Sequence, residues 1–390
     1  MVENNLLSLS YGHVKKRDIN SNEGLLPASY ETYNIIEPND IVLRFTDLQN
    51  DQKSLRVGLA NERGIITSAY TTIRPYDAFD SRFLYYALHA FDLRKGFYGM
   101  GAGVRQGLKW QEAKYILLPW PNKAERTHIA DYLDVKCAEI DAAEEAAEAS
   151  IGDYLSMRHA LISNAVTHGI GGSNRARKDL GVPYVDGVPV SWSKAKLVWL
   201  LSAFIDCPHE TPDYSADGPF LVIRAGDQTE GGLVQDNMLR LDSGEYERRT
   251  RRSKLLANDI VYGREGNWGK ASIISETDKY CLGQRMMQFR CNESKLEPRF
   301  ATYALNAEYV REQGRKDEVG STSRHVNVGT IANYWLAVPP IDEQLLIADY
   351  LDSKCAAVDC AIAQKQSIID DLKAYKQSLI YEVVTGKKEV

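Results

Sequence analysis

Glu125 to Thr167 begins E-R-T-H-I-A-D-Y-L-D-V-K-C-A-E-I-D, and a second copy, Glu343 to Thr385, begins E-Q-L-L-I-A-D-Y-L-D-S-K-C-A-A-V-D. The offset is 218 residues throughout and needs no gap: it carries Ile129 to Ile347, Cys137 to Cys355, Asp141 to Asp359, Leu161 to Leu379 and Thr167 to Thr385. An ungapped self-similarity of this length dictates the architecture and is read before any local feature.

Both copies have the alternating three and four spacing of a coiled-coil seam. In the first copy one row is Leu133, Ile140, Ala147, Tyr154, Leu161 and the other Cys137, Glu144, Ile151, Arg158, Ala165. In the second the rows are Leu351, Val358, Lys365, Leu372, Leu379 and Cys355, Ile362, Ile369, Lys376, Val383. Only Gly152 interrupts the first copy and neither Pro nor Gly the second, so each is expected to be a helix of ~43 residues, roughly 65 Å long. Glu144, Arg158, Lys365 and Lys376 fall on the seam, so weak layers with charged side chains near the surface are expected.

Outward from the helices, the chain divides into segments 1–121, 122–169, 170–189, 190–340 and 341–390. The first and fourth read as mixed α and β. Strands are expected at Tyr33 to Ile36, Asp40 to Phe45, Ser54 to Leu59 and Ile65 to Ile73, and a helix at Arg82 to Ala90. Just upstream of each long helix lies a second echo. S-R-F-L-Y-Y-A-L-H-A parallels E-P-R-F-A-T-Y-A-L-N-A, G-A-G-V-R-Q-G parallels G-S-T-S-R-H-V-N-V-G, and K-Y-I-L-L-P-W-P parallels N-Y-W-L-A-V-P-P. The unit is a globular domain plus a long helix, present twice. Residues 170–189, rich in Gly and Pro, read as a linker. The first domain is shorter: about 30 residues corresponding to Trp192 to Phe220 have no counterpart, either because it is a naturally short version or because the chain begins inside a longer frame.

With 390 residues, 44% hydrophobic and 26% charged, a soluble protein of two or three domains is expected. No apolar run reaches the ~20 residues of a membrane span, and the amino terminus has no signal-peptide pattern. Six cysteines without C-x-x-C or zinc spacing fit a cytoplasmic protein with no metal. The net charge of −6 divides as +1 for residues 1–119, −4 for 120–191, 0 for 192–340 and −3 for 341–390. The acidity sits in the helical segments, so an overall negative charge does not exclude DNA binding by the globular ones.

On these residues the chain resembles the specificity subunits of type I restriction-modification systems (the HsdS family). The most specific features are the paired E-x-x-x-I-A-D-Y-L-D helices, each preceded by a Pro-containing strand end. The resemblance implies an α+β protein in which two target-recognition domains are separated by two long antiparallel coiled-coil helices. It implies that each domain reads one half of a bipartite double-stranded DNA site. It also implies that the subunit is not itself an enzyme and recruits two methyltransferase subunits, with restriction/translocase subunits where the complex also cleaves.

The residues agree on missing chemistry: there is no N/D-P-P-Y, no Walker lysine loop and no H-E-x-x-H. G-M-G-A-G at Gly99 to Gly103 reads as a tight turn, and no cofactor is expected. The candidate DNA readers are basic and amide side chains interleaved with aromatics, because Arg can bond guanine twice and Asn or Gln adenine twice in the major groove. They are Arg105, Gln106, Lys109 and Trp110 in the first domain, and Arg264, Asn267, Trp268, Lys270, Arg324, His325 and Asn327 in the second. Arg248 to Arg252 is expected to touch the phosphate backbone. For each, a solvated charge or an intradomain ion pair is the competing reading. A coiled-coil scaffold that binds only proteins is the alternative for the whole chain.

Overall fold

The computed structural model describes residues 4–18, 30–48, 55–101, 107–171, 175–266, 268–320 and 324–390. Arg105, Gln106 and Asn267, with part of the G-M-G-A-G turn, lie outside the described residues. In chain order the first elements are β1 (Leu7–Ser10), β2 (His13–Lys16), β3 (Asn34–Ile36), β4 (Ile41–Leu43), β5 (Val57–Leu59), β6 (Gly64–Ile66), β7 (Thr71–Ile73), α1 (Asp80–Leu93), α2 (Trp110–Ala113) and α3 (Lys123–His168). There follow β8 (Arg177–Lys178), β9 (Val188–Pro189), β10 (Ser193–Lys196), β11 (Leu201–Asp206), β12 (Phe220–Ile223), β13 (Leu239–Leu241), α4 (Ser243–Thr250), β14 (Ile260–Gly263), β15 (Ala271–Ile273), β16 (Tyr280–Leu282) and β17 (Met286–Cys291). The chain closes with α5 (Pro298–Asn306), α6 (Glu308–Arg315), α7 (Val328–Ala332), β18 (Trp335–Val338) and α8 (Ile341–Val384). The fold is mixed helix and strand with two long helices, as the repeat requires.

Two compact units result, Met1–Ser150 with Gln364–Val390, and Ile151–Ala363. Each therefore contains one globular segment and half of each long helix, and the division falls inside the helices rather than at their ends.

In the first unit the amino-terminal half of α3 packs on the carboxyl-terminal half of α8. Ile129, Leu133, Cys137 and Ile140 share a core with Leu379, Ile380, Val383 and Val384, joined by Phe83, Tyr86 and Ala87 of α1. The direction is antiparallel: Ile129 and Val383 line one cavity, while Asp141 accepts a hydrogen bond from Lys376 Nζ at 2.5 Å. The second unit repeats this with Ile162, Ala165 and Val166 against Ile347, Leu351 and Cys355, and with Arg158 Nε 3.1 Å from Asp359. The same 218-residue shift carries Asp141 to Asp359 and Arg158 to Lys376. Two of the charged seam positions are thus not merely tolerated; each pairs with an aspartate of the opposite helix. Along the seam Leu133, Ile140, Leu351, Val358 and Leu379 are buried, whereas Tyr154, Leu161 and Leu372 are half-buried. Gly152 meets no neighbour that a Cβ would touch, so no close contact requires a glycine in mid-helix.

A second repeated device fastens each globular segment to its helix. Arg82 of α1 pairs with Asp131 and Asp134, and Tyr86 donates its hydroxyl to Asp134 at 2.8 Å. Arg299 of α5 pairs with Asp349 and Asp352, and Tyr303 donates to Asp352 at 2.8 Å. The aspartates are those of the repeated I-A-D-Y-L-D, and the donors are those of the repeated R-F-x-x-Y-A-L. In a helix residues three and four apart share a face, so each motif presents its two groups together.

The sheets echo each other as well. β4 lies between β5 and β7, and β14 lies between β15 and β17, with β11 added outside β17. Ahead of β4, Asp40 accepts two hydrogen bonds from Arg74, at 2.7 and 2.6 Å; ahead of β14, Asp259 accepts two from Arg290, at 2.8 and 2.7 Å. The preceding Asn39 and Asn258 both take left-handed backbone, φ 73° and 70°, a conformation asparagine tolerates better than most residues. The repeated N-D-I-V at 39–42 and 258–261 is the sequence signal for this turn.

Two local expectations differ from the structure. The strand expected over Ile65 to Ile73 is two strands, β6 and β7, because Tyr70 N–H bonds back to Thr67 C=O and closes a turn. The linker at 170–189 contains a short β8–β9 pair. An unanticipated hairpin joins β1 to β2 through Tyr11 and Gly12, both at positive φ (47° and 80°), the conformation of a two-residue I′ turn.

Candidate nucleic-acid interface

The second unit builds its candidate surface at the tip of the β14–β15 hairpin. The hairpin ends in R-E-G-N-W-G-K, whose Gly266 and Gly269 have φ of 69° and 86°. Gly269 N–H returns to Gly263 C=O at 2.9 Å, so the loop turns back on its own strand. It is also tied to the stretch before α7: Gly266 N–H donates to Arg324 C=O at 2.8 Å, and Val326 N–H to Arg264 C=O at 3.0 Å. This pairing brings two segments some 60 residues apart in sequence side by side.

Trp268, Lys270 and Arg324 thereby meet in one groove of about 390 Å³ with Arg311 and Arg315 of α6, Glu230 and Glu318. Trp268 donates its indole N–H to Glu318 at 2.9 Å and lies against Gly314, where a methyl group would stand 2.7 Å from the ring. Arg311 donates to Glu230 Oε1 at 2.5 Å, and Arg158 and His159 stand on the other oxygen at 3.5 and 3.2 Å. Burial pushes the Glu230 carboxyl up, but the Arg311 hydrogen bond and the His159 and Arg158 charges outweigh it and hold it below the ordinary value. Lys270 reaches only a carbonyl, Gln228 O, at 3.5 Å. Arg324 has 70% of its side chain exposed and lies 3.8 Å from Glu318. Arg311 is paired with Glu230 and Arg315 with Glu308 and Glu312, so Lys270 and Arg324 are the least compensated cations of the groove. An aromatic face and an exposed guanidinium suit it to a phosphate-lined, base-bearing ligand.

The other expected readers are placed differently. Arg264 is buried, with Nε 3.2 Å from Asp206, Nη1 3.3 Å from Glu265 and Nη2 3.3 Å from His209 Nδ1. It is an internal ion-pair residue, because the hairpin loop folds its first side chain back under the tip. His325 is half-buried and exchanges backbone hydrogen bonds with Val319. Asn327 is exposed at the N-cap of α7, and Lys109 is exposed at the N-cap of α2 with Trp110 beside it. Leu108 and Val326, the residues before these caps, are both buried, so Lys109 and Asn327 occupy corresponding places in the two units. In the R-R-T-R-R run, Arg249 is buried and donates to the carbonyls of Glu210, Pro208 and Leu282, Arg248 pairs with Glu245 and Glu210, and Arg251 and Arg252 are exposed. Arg311 and Arg315 were not among the expected readers. Their i, i+4 spacing in V-R-E-Q-G-R, on a short amphipathic helix, is the signal that marks them.

Among the described residues no cluster of three or more His, Cys, Asp or Glu could hold a metal, and no helix is long and apolar enough to cross a membrane.

Residues 213–368, which include the whole groove and run into α8, match the family model described as type I restriction modification DNA specificity domain. That segment is similar to the DNA specificity domain of type I restriction-modification systems. It is 23% identical over 320 residues to the type I restriction enzyme EcoBI specificity subunit of Escherichia coli, a match that covers 80% of this chain and 66% of that one. With the EcoDI specificity subunit of the same organism it shares 29% identity over 119 residues, 30% of this chain and 26% of the relative. The chain therefore spans just under two thirds of the first relative's length and less of the second's. A solved structure described as the structural basis of complex assembly and conformational transition of the type I R-M system superposes with a TM-score of 0.67 over 95% of this chain and 86% of that one, at 14% identity. That likeness is one of fold. The match gives the groove a context: it lies wholly inside the matched DNA-specificity segment.

Proposed function

We propose that this chain is the DNA-reading, non-catalytic subunit of a type I restriction-modification complex. Each globular segment reads one half of a split double-stranded site, and the paired helices set the gap between the halves. The observation that carries this reading is the twice-made Arg/Tyr to Asp–Asp clamp, which fixes two non-identical globular segments to two copies of one helix motif. Non-identical readers on a repeated frame suit an asymmetric, divided target.

In the second unit Arg324 and Lys270 meet DNA first, and Trp268 forms an apolar floor beside them. An exposed guanidinium can bond guanine twice, which is worth ~1–3 kcal/mol of discrimination, whereas Lys270 neutralises phosphate. Lys109 and Trp110 occupy the corresponding edge of the first unit. Two methyltransferase subunits, and restriction/translocase subunits where cleavage occurs, are the partners, and the cytoplasm is the compartment.

Salt-titrated binding of the chain in complex with its methyltransferase tests this. A steep fall in affinity for a duplex with rising salt, steeper than for a Lys270→Ala/Arg324→Ala complex, is expected. An affinity independent of salt, or cleavage of DNA by the purified chain with a divalent metal, would overturn it.

A further inference from the structure

Trp199 and Trp335 meet edge to face at the start of β18, with ring centres 5.8 Å apart and planes at 89°. Trp199, in the turn between β10 and β11, is 57% exposed, and Trp335 is half-buried. Lysines flank both rings. Lys194 Nζ lies 5.0 Å from the centre of the Trp335 ring, and Lys196 Nζ lies 5.5 Å from the centres of both. Lys196 also donates to Asn333 Oδ1 at 2.7 Å, and the Gln313 amide holds the Trp335 backbone, donating to its C=O at 3.0 Å and accepting from its N–H at 2.8 Å.

Asn333 and Gln313 carry the surface onward into a cavity of about 400 Å³, where Lys316 Nζ lies 5.3 Å from the centre of the Tyr184 ring. Trp199, Trp335 and Tyr184 with Lys194, Lys196 and Lys316 thus form one continuous face of the second unit. Among the described residues none of these lysines has a carboxylate within ion-pair distance. Asp317, the carboxylate at the cavity, accepts a hydrogen bond from the Thr330 hydroxyl at 3.0 Å.

This face stands apart from the DNA-reading groove. α6 turns Arg311 and Arg315 to that groove and Gln313 to this cavity, and residues two apart point to opposite sides of a helix roughly 10 Å thick. The amides of Asn333 and Gln313 are committed to Lys196 and to the Trp335 backbone, so neither is free to read a base edge. What the face offers is ring surface and uncompensated ammonium charge. Lysine neutralises phosphate whatever the base, and an aromatic ring stacks on any base whose face is not already covered by a neighbouring pair.

We propose that this face binds single-stranded nucleic acid without sequence preference, with bases stacking on Trp199 and phosphates lying against Lys194, Lys196 and Lys316. The inference is independent of the reading assigned to the groove, since it uses other side chains and an unpaired ligand.

The test is fluorescence anisotropy of labelled oligothymidylate and oligouridylate of ~12 nucleotides, within the site size of such platforms, titrated with the full chain. Saturable binding of either strand that weakens with salt is expected, and a preference between them identifies DNA or RNA as the source. Trp199→Ala should weaken binding roughly tenfold, and Lys194→Ala/Lys196→Ala should reduce the salt slope by roughly 1.4. A thermal melt of each variant checks that the fold is kept. No binding would overturn the proposal. So would a duplex of the same length that binds as well and depends equally on Trp199, or a Glu-rich peptide that takes the face in preference to both strands. Binding lost with Lys270→Ala/Arg324→Ala and indifferent to Trp199→Ala would place the strand in the groove and overturn it too.

Discussion

Tyr303 donates its hydroxyl hydrogen to Asp352 at 2.8 Å, and Arg299 holds the other oxygen of the same carboxylate at 2.7 Å. Charge-assisted bonds of this kind are stronger than neutral ones, though partial exposure screens them. Asp352→Asn is therefore expected to lower stability by about 1–2 kcal/mol. A Tyr303→Phe/Asp352→Ala double-mutant cycle in urea should show coupling, and strictly additive losses would mean the clamp is incidental. The Tyr86–Asp134 pair should behave alike.

The seam ion pairs make a charge-swap prediction. Lys376→Asp places two like charges opposite each other at Asp141 and should destabilise the protein by about 1 kcal/mol. Adding Asp141→Lys should recover most of the loss in the same denaturation measurement. Failure to recover would mean that the contact is geometric and not electrostatic.

His89 carries a pH signature. It is buried on α1, stacked on Tyr85, and burial, with Lys376 and His13 adding to it, lowers its pKa to about 4. Asp92 Oδ2 accepts the Arg56 N–H at 2.6 Å nearby, and burial raises its carboxyl to about 6, against the pull of that bond and of Arg56 and Lys95. A base with a depressed folded pKa binds fewer protons folded than unfolded, so its contribution to stability is lost as pH falls from about 6.5 to about 4. Asp92 has the opposite sign over about 6 to 3.8, since the folded state binds the extra proton. Relative to the wild type, His89→Gln should gain stability on acidification through this window and Asp92→Asn should lose it, by chemical denaturation at a series of pH values.

Two arginines that look alike in sequence should separate. Arg264→Met leaves Asp206 and Glu265 short of a cation inside the fold and should cost about 2–3 kcal/mol of stability. Arg324→Ala should leave stability within about 0.5 kcal/mol while lowering DNA affinity and relaxing discrimination at one base pair by ~1–3 kcal/mol. Thermal melts and salt-titrated binding on both variants read the difference.

Much of the frame is legible in the sequence because it is periodic and repeated. An ungapped 218-residue offset is visible without any structure, and α1 follows from the face formed by Phe83, Tyr86 and Ala87. What stays hidden is the partner of each charge. Arg158 and Lys376 look like flaws in a stripe until the antiparallel pairing sets them against Asp359 and Asp141, each some 200 residues away. The three-residue strands are equally opaque, because Thr67–Tyr70 turns inside an apparently continuous β-branched run. At the groove, composition marks the hairpin tip but not which side chain folds inward, so Arg264 and Arg324 read alike. Arg311 and Arg315 lie on a helix outside the Gly-rich loops, and only their i, i+4 spacing marks them in the sequence.

The central claim, that each globular segment reads its own half of a divided site, is tested most directly by mapping methylated bases in DNA from cells carrying this chain with its methyltransferase partner. The mapping is then repeated after residues 190–340 are exchanged for those of a relative. A bipartite motif of which one half changes while the other half and the gap stay the same is the expected result. An undivided motif, or one in which both halves change together, would contradict it.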